Sequence, residues 1–106
     1  IRAGGTPAPS VPAGGAVLNL TAANVAFDKK DLEAAAGQPF TIEMTNNDAI
    51  QHNVAIYQGD KALFHGALFM GPGKTSYVID ALPPGEYTFI CDVHPIPAMT
   101  GKLTVK

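Results

Sequence analysis

Tyr87-Thr88-Phe89-Ile90-Cys91-Asp92-Val93-His94-Pro95-Ile96-Pro97-Ala98-Met99-Thr100-Gly101-Lys102-Leu103-Thr104-Val105-Lys106 decides how the rest of the chain is read. Over Glu86 to Cys91 the apolar residues Tyr87, Phe89 and Cys91 fall on one side of an extended backbone. That period of two is the mark of a half-buried strand. Over Gly101 to Lys106, Leu103 and Val105 face in while Lys102, Thr104 and Lys106 face out. The stretch is therefore strand, loop, strand. The loop collects a thiol (Cys91), an imidazole (His94) and a thioether (Met99), and Pro95 and Pro97 stiffen it by fixing their own φ.

The same alternation recurs upstream. Phe40, Ile42 and Met44 share one face of Phe40–Thr45, and His52, Val54 and Ile56 share one face of Gln51–Tyr57. Ser76 to Leu82 reads as a further strand closed by Pro83-Pro84-Gly85, and Val17 to Phe27 supplies one or two more. Asn46-Asn47-Asp48 and Gly71-Pro72-Gly73 mark turns. About seven or eight short strands separated by turn signals predict an all-β fold, an antiparallel Greek-key β-sandwich. Asp28 to Ala36 dissents: it holds good helix formers, an Asp at its start and Gly37 as a stop, enough for a two-turn helix. Asn19-Leu20-Thr21 fits a glycosylation acceptor pattern, but the three residues read more simply as part of a strand.

The chain has 106 residues, the size of one domain. Hydrophobic residues make up 46% and charged residues 15%, which excludes disorder over the whole length. A net charge of −2 gives no electrostatic case for nucleic acid or an anionic membrane. No apolar run reaches the roughly 18 residues of a membrane span. Residues 1–15 hold four Gly, three Pro and three Ala. That composition buries no core and reads as a flexible tail or tether, leading toward an anchor upstream of residue 1. Residues 16–106 form the folded domain.

Cys91 is the single cysteine, so a disulfide framework and a Cys-only metal cage are both excluded. Taken singly, Cys91 reads as core filler, His52 as a hydrogen-bonded core residue and Met99 as packing. Taken together, His52, Cys91, His94 and Met99 in the order His…Cys-x2-His-x4-Met are the donor set of a trigonal His2Cys copper site with a weak axial Met. Soft sulfur suits Cu(I) and nitrogen suits Cu(II), so a rigid compromise set serves both states. The expectation is one copper per chain. His65, Met44 and Met70 read as structural, with Met70 close to the copper face.

At these residues the chain resembles the small blue copper proteins, the cupredoxins, and within them the plastocyanin and pseudoazurin group. The resemblance runs from about Ala16 to Lys106 and rests on Asn46-Asn47-Asp48, His52-Asn53-Val54, Pro84-Gly85-Glu86-Tyr87, Cys91, His94, Met99 and Gly101-Lys102-Leu103-Thr104-Val105. It implies that His52, Cys91, His94 and Met99 bind the metal and that Asn53 hydrogen-bonds across to the Cys-bearing strand. It also implies that Asp28 to Ala36 is extended or irregular, and this reading is adopted over the local helix propensity.

The expected activity is outer-sphere one-electron transfer between redox protein partners, by a monomer rather than an enzyme. Pro95, Ile96, Pro97 and Ala98 would ring the exposed edge of His94 as an apolar docking patch. Three alternatives share some of these residues: a copper carrier or delivery protein, a Cys91–His94 nucleophilic enzyme, and the electron-transfer domain of a larger membrane-anchored redox complex. The loop offers no orienting carboxylate beyond Asp92, and the single cysteine excludes a two-copper purple centre. The resemblance places the domain outside the cytoplasm, in the periplasm or at the outer face of a membrane.

Overall fold

Alternating burial turns most of this chain into strands, and the computed structural model, which describes residues 16–106, contains ten of them. They are β1 (Val17–Ala22), β2 (Asp31–Ala34), β3 (Phe40–Asn46), β4 (Gln51–His52), β5 (Ala55–Gln58), β6 (Lys61–His65), β7 (Phe69–Met70), β8 (Gly73–Ile79), β9 (Gly85–Ile90) and β10 (Thr100–Val105). One 3-10 turn, Pro97–Met99, leads into β10. The tail or tether read over residues 1–15 lies outside the described residues.

Two sheets form the sandwich, one ordered β1-β3-β8 and the other β2-β10-β9-β5-β6, with β4-β7 as a separate two-stranded ribbon. Leu20, Phe40, Ile42, Met44, Tyr77 and Ile79 from the first sheet join Leu32, Ile56, Tyr87, Phe89, Leu103 and Val105 from the second in one buried cluster. Each large side chain so buried contributes about 1.5–3 kcal/mol. The Phe89 ring sits at the middle, 5.6 Å from that of Phe27. Gly101 lies against it so closely that a Cβ there would collide with the ring and with the Lys30 carbonyl.

The expected all-β sandwich is present, but its pairing is not wholly antiparallel. β1 runs parallel to β3, and β2 runs parallel to β10. Asp28 to Ala36 contains β2 rather than a helix. Leu32 and Ala34 are buried on alternate positions, and the β10 backbone offers a full ladder with Lys102 opposite Asp31. Those long-range bonds outweigh two turns of local helix propensity, which is marginal at that length.

Strand boundaries differ from the sequence reading in two places. Gln51 to Tyr57 is broken at Asn53 and Val54 into β4 and β5, which belong to different sheets. Phe64 to Pro72, where the sequence reading placed no strand, carries the end of β6 and all of β7. β7 is two residues long and pairs only with β4, Met70 opposite Gln51 and Phe69 opposite His52, so it leaves no periodicity to read.

β9 and β10 are antiparallel neighbours, with Ile90 opposite Thr100. The excursion from Cys91 to Met99 is therefore a closed loop at one end of the sandwich. Its lower side is held by the Phe27 N–H, which donates to the Ala98 carbonyl (2.9 Å). The Lys30 ammonium donates to the Pro97 and Thr100 carbonyls.

Candidate metal centre

Cys91 follows directly on β9 and is fully buried. Its N–H donates to the Met99 carbonyl (3.2 Å), and the His94 N–H donates to the Cys91 carbonyl (3.2 Å). These two bonds curl the loop so that Cys91, His94 and Met99 come from one tight turn of chain. Met99 is fully buried at the end of the 3-10 turn. His52 arrives from the separate ribbon, also with no exposed surface.

The Cys91 Sγ lies 3.7 Å from the His52 Nδ1 and 3.7 Å from the His94 Nδ1. The two imidazoles meet edge to face, with centroids 4.9 Å apart. One donor atom from each of His52, Cys91 and His94 falls within 4.8 Å of the others, a spacing that suits three ligands of one ion. Two borderline nitrogens and one soft thiolate sulfur are the donors that copper takes in a trigonal site. Of the three, His94 alone is part-exposed.

The residues around these donors are held by polar groups. Asn53 is buried beside His52; its Oδ1 accepts the Asp92 N–H (2.9 Å) and its Nδ2 donates to the Asp92 carboxylate (3.0 Å) and the Gly66 carbonyl (2.9 Å). The β4–β5 break is thereby tied to the chain next to Cys91. Asp92 also accepts from the Tyr57 hydroxyl (3.1 Å) and meets the His65 Nδ1 at 2.8 Å. Burial works to raise the pKa of Asp92, but the donors Asn53, His65 and Tyr57 outweigh it and hold the carboxyl below its usual range.

Across the site, the His52 Nε2 lies 2.8 Å from the Asp48 carboxylate. The Asp48 carboxyl is also held low, chiefly by the Val25 N–H and then by His52.

Sequence reasoning gave Asp48 only a turn role and His65 a structural one. An Asp four residues before a histidine in a short strand was the available signal for the first. Nothing local signals the second, because His65 reaches Asp92 only through the β5–β6 hairpin. Met44 is in the core and fully buried, as read.

The loop residues that follow His94 are apolar. Pro95, Ile96 and Pro97 are exposed and Ala98 is half-buried. Ile50, Leu68, Met70 and Val93 are exposed as well, and of these the sequence reading singled out only Met70. Ile50 adjoins β4, and Leu68 and Met70 lie at its partner β7.

Residues 6–105 match the model of the cupredoxin-like domain. The chain belongs to the cupredoxin family. This cupredoxin is 35% identical over 94 residues to plastocyanin of Nostoc punctiforme, an alignment covering 77% of this chain and 66% of that protein. It is 33% identical over 110 residues to auracyanin-A of Chloroflexus aurantiacus, covering 76% of this chain and 67% of that protein. The cupredoxin spans about two thirds of the length of these relatives and 49% of chloroplastic plastocyanin of Physcomitrium patens.

Among solved structures, auracyanin A of Chloroflexus aurantiacus, described as a "blue" copper protein, superposes with a TM-score of 0.74 at 25% identity. That match covers 87% of this chain and 100% of the other. Amicyanin of Paracoccus versutus superposes with a TM-score of 0.64 at 22% identity, covering 91% of this chain and 85% of the other, and speaks for the fold. Copper is the cofactor that this family and this donor set call for. Among the described residues, no helix is long and apolar enough to cross a membrane.

Proposed function

We propose that this cupredoxin is a one-electron carrier that holds a single copper through His52, Cys91, His94 and Met99 and passes electrons between protein partners. The observation that carries the reading is the convergence of His52, Cys91 and His94 within 4.8 Å on a frame of two strands and one closed loop. When bound, the metal supplies a one-electron Cu(II)/Cu(I) couple. The chain supplies the rest. His52, Cys91 and Met99 exclude water because they are fully buried. The hydrogen bonds of Asn53 and Asp92 keep the donors in place, so that little moves when the charge changes. With four protein donors no position is left for a substrate, which argues against an enzyme.

His94 is the electron port in this reading, because it is part-exposed and the exposed residues that follow it in the loop are apolar. Pro95, Ile96, Pro97 and Ala98 form the docking patch, widened by Ile50, Leu68, Met70 and Val93. A small apolar patch suits brief encounters of low contact area. The protein acts as a monomer outside the cytoplasm, in the compartment where its donor and acceptor meet.

A visible and EPR spectrum after adding one equivalent of Cu(II) under oxidising conditions tests the centre. An intense blue band with narrow copper hyperfine splitting is expected. A pale solution with an ordinary tetragonal signal would sink the carrier reading and leave copper delivery in its place.

Two substitutions separate the parts. Met99→Leu will keep copper bound but move the reduction potential; if potential and spectrum are both untouched, Met99 does not bind the metal. Ile96→Lys will leave the spectrum intact and slow electron transfer to a redox partner roughly tenfold, the effect of about 1.4 kcal/mol. Unchanged transfer rates would remove the loop from the docking surface.

A further inference from the structure

The carboxylate of Asp48 does more than close a turn, because Asn46 already closes it. The Asn46 Oδ1 accepts the Asp48 N–H (2.8 Å), and its Nδ2 donates to the Ile50 (2.9 Å) and Phe69 (3.0 Å) carbonyls. The Asp48 side chain instead reaches two places far apart in sequence. Its Oδ1 accepts the Asn24 N–H (2.8 Å), and its Oδ2 accepts the Val25 N–H (2.9 Å) and faces the His52 Nε2 (2.8 Å).

The first of these places is built at a cost. Asn24 and Val25 have φ of 56° and 54°, in the left-handed region. A β-branched residue there is a true outlier, and its backbone is strained. The conformation turns two successive N–H groups toward one point, a small anion-binding nest, and the Asp48 carboxylate fills it. The carboxylate is thus fixed from the β1 side and presented to His52 from the other.

A carboxylate only accepts hydrogen bonds, so the proton between the two groups belongs to the His52 Nε2. In the neutral imidazole the His52 Nδ1 is then a lone pair, and it is the atom 3.7 Å from the Cys91 Sγ. His52 is fully buried, so no water competes for either nitrogen. Metal-binding histidines commonly donate their second N–H in this way, and losing the acceptor weakens affinity.

We propose that Asp48 is the positioning residue of the metal centre: it holds His52 as the Nε2–H tautomer with Nδ1 free for copper, and its negative charge lowers the reduction potential. The second half rests on His52 being a copper ligand, as proposed above. A charge passed through the imidazole stabilises the more positive, oxidised state. A neutral acceptor would hold the ring without that bias.

The tautomer is measured first, in the copper-free protein labelled with 15N, by two-bond proton–nitrogen correlation at about pH 8, where an ordinary imidazole is neutral. The expected result is a single Nε2–H tautomer for His52, and a mixture in Asp48→Ala. An Nδ1–H tautomer or an unbiased mixture in the unmutated protein would overturn the proposal without any variant having to fold. In the copper-loaded protein, Asp48→Asn is expected to raise the potential while keeping the blue band, and to weaken copper binding on the order of 10- to 100-fold. Unchanged potential and affinity would overturn the tuning role. A protein that takes up no copper yet shows the Nε2–H tautomer would refute the copper reading while supporting the Asp48–His52 lock.

Discussion

Cys91→Ser will fold, bind copper weakly and show none of the intense visible absorption of a thiolate-bound centre. The substitution exchanges sulfur for oxygen at nearly constant shape, at a position with no exposed surface. A serine hydroxyl stays protonated near neutral pH and is a hard donor, so the soft bond that suits Cu(I) is lost. The hydroxyl would face two imidazole Nδ1 atoms, each now 3.7 Å from the sulfur, and donate to one of them. Folding should therefore be little changed, and the urea midpoint of the copper-free protein checks this. A variant that stays blue would remove Cys91 from the centre, and the electron-carrier reading would go with it.

Phe89→Ala will cost about 3–5 kcal/mol of stability, read as a lowered urea midpoint in the copper-free protein. The ring is fully buried, packs on Phe27 at 5.6 Å and lies under Gly101, so neighbours from β9, β10 and the segment after β1 all lose contact at once. Partial collapse of the site would bring the loss toward the lower end. Phe89 stands two residues before Cys91 on the same face of the chain, so the change should also broaden the blue band as the sulfur loses its fixed position. A loss under about 1 kcal/mol would mean that the two sheets do not meet at this ring.

The chemistry of the centre was more legible than the scaffold around it. Cys91 and His94, which the structure brings together with His52, stand out because they fall in one short loop after an alternating strand. His52 is recognisable as a histidine set among the apolar Val54 and Ile56, although the alternation read there is broken at Asn53 and Val54. Their donor types carry the information, and donor type is written in sequence. Asp48, by contrast, acts through partners at Asn24 and Val25, whose unusual backbone no residue type announces.

The same limit applied to the fold. Long strands such as β3 and β8 show their period of two, whereas β4 and β7 have two residues each and exist through pairing alone. β2 lies in a segment whose local preference is helical. Only the β10 ladder makes it extended, and that ladder is formed by residues at the other end of the domain. The resemblance to cupredoxins corrected the helix propensity where periodicity had not.

The place of β10 has a bearing on biogenesis. It is an inner strand of the larger sheet, with β9 on one side and β2 on the other, although it comes last in the domain. Lys102 pairs with Asp31, so the edge laid down early has no partner until the chain is present as far as Val105. Pairings of such long reach are slow to form and cannot be anticipated by a growing chain. The loop that carries Cys91, His94 and Met99 is closed by the same strand, so its two ends are held together only once β10 has paired with β9.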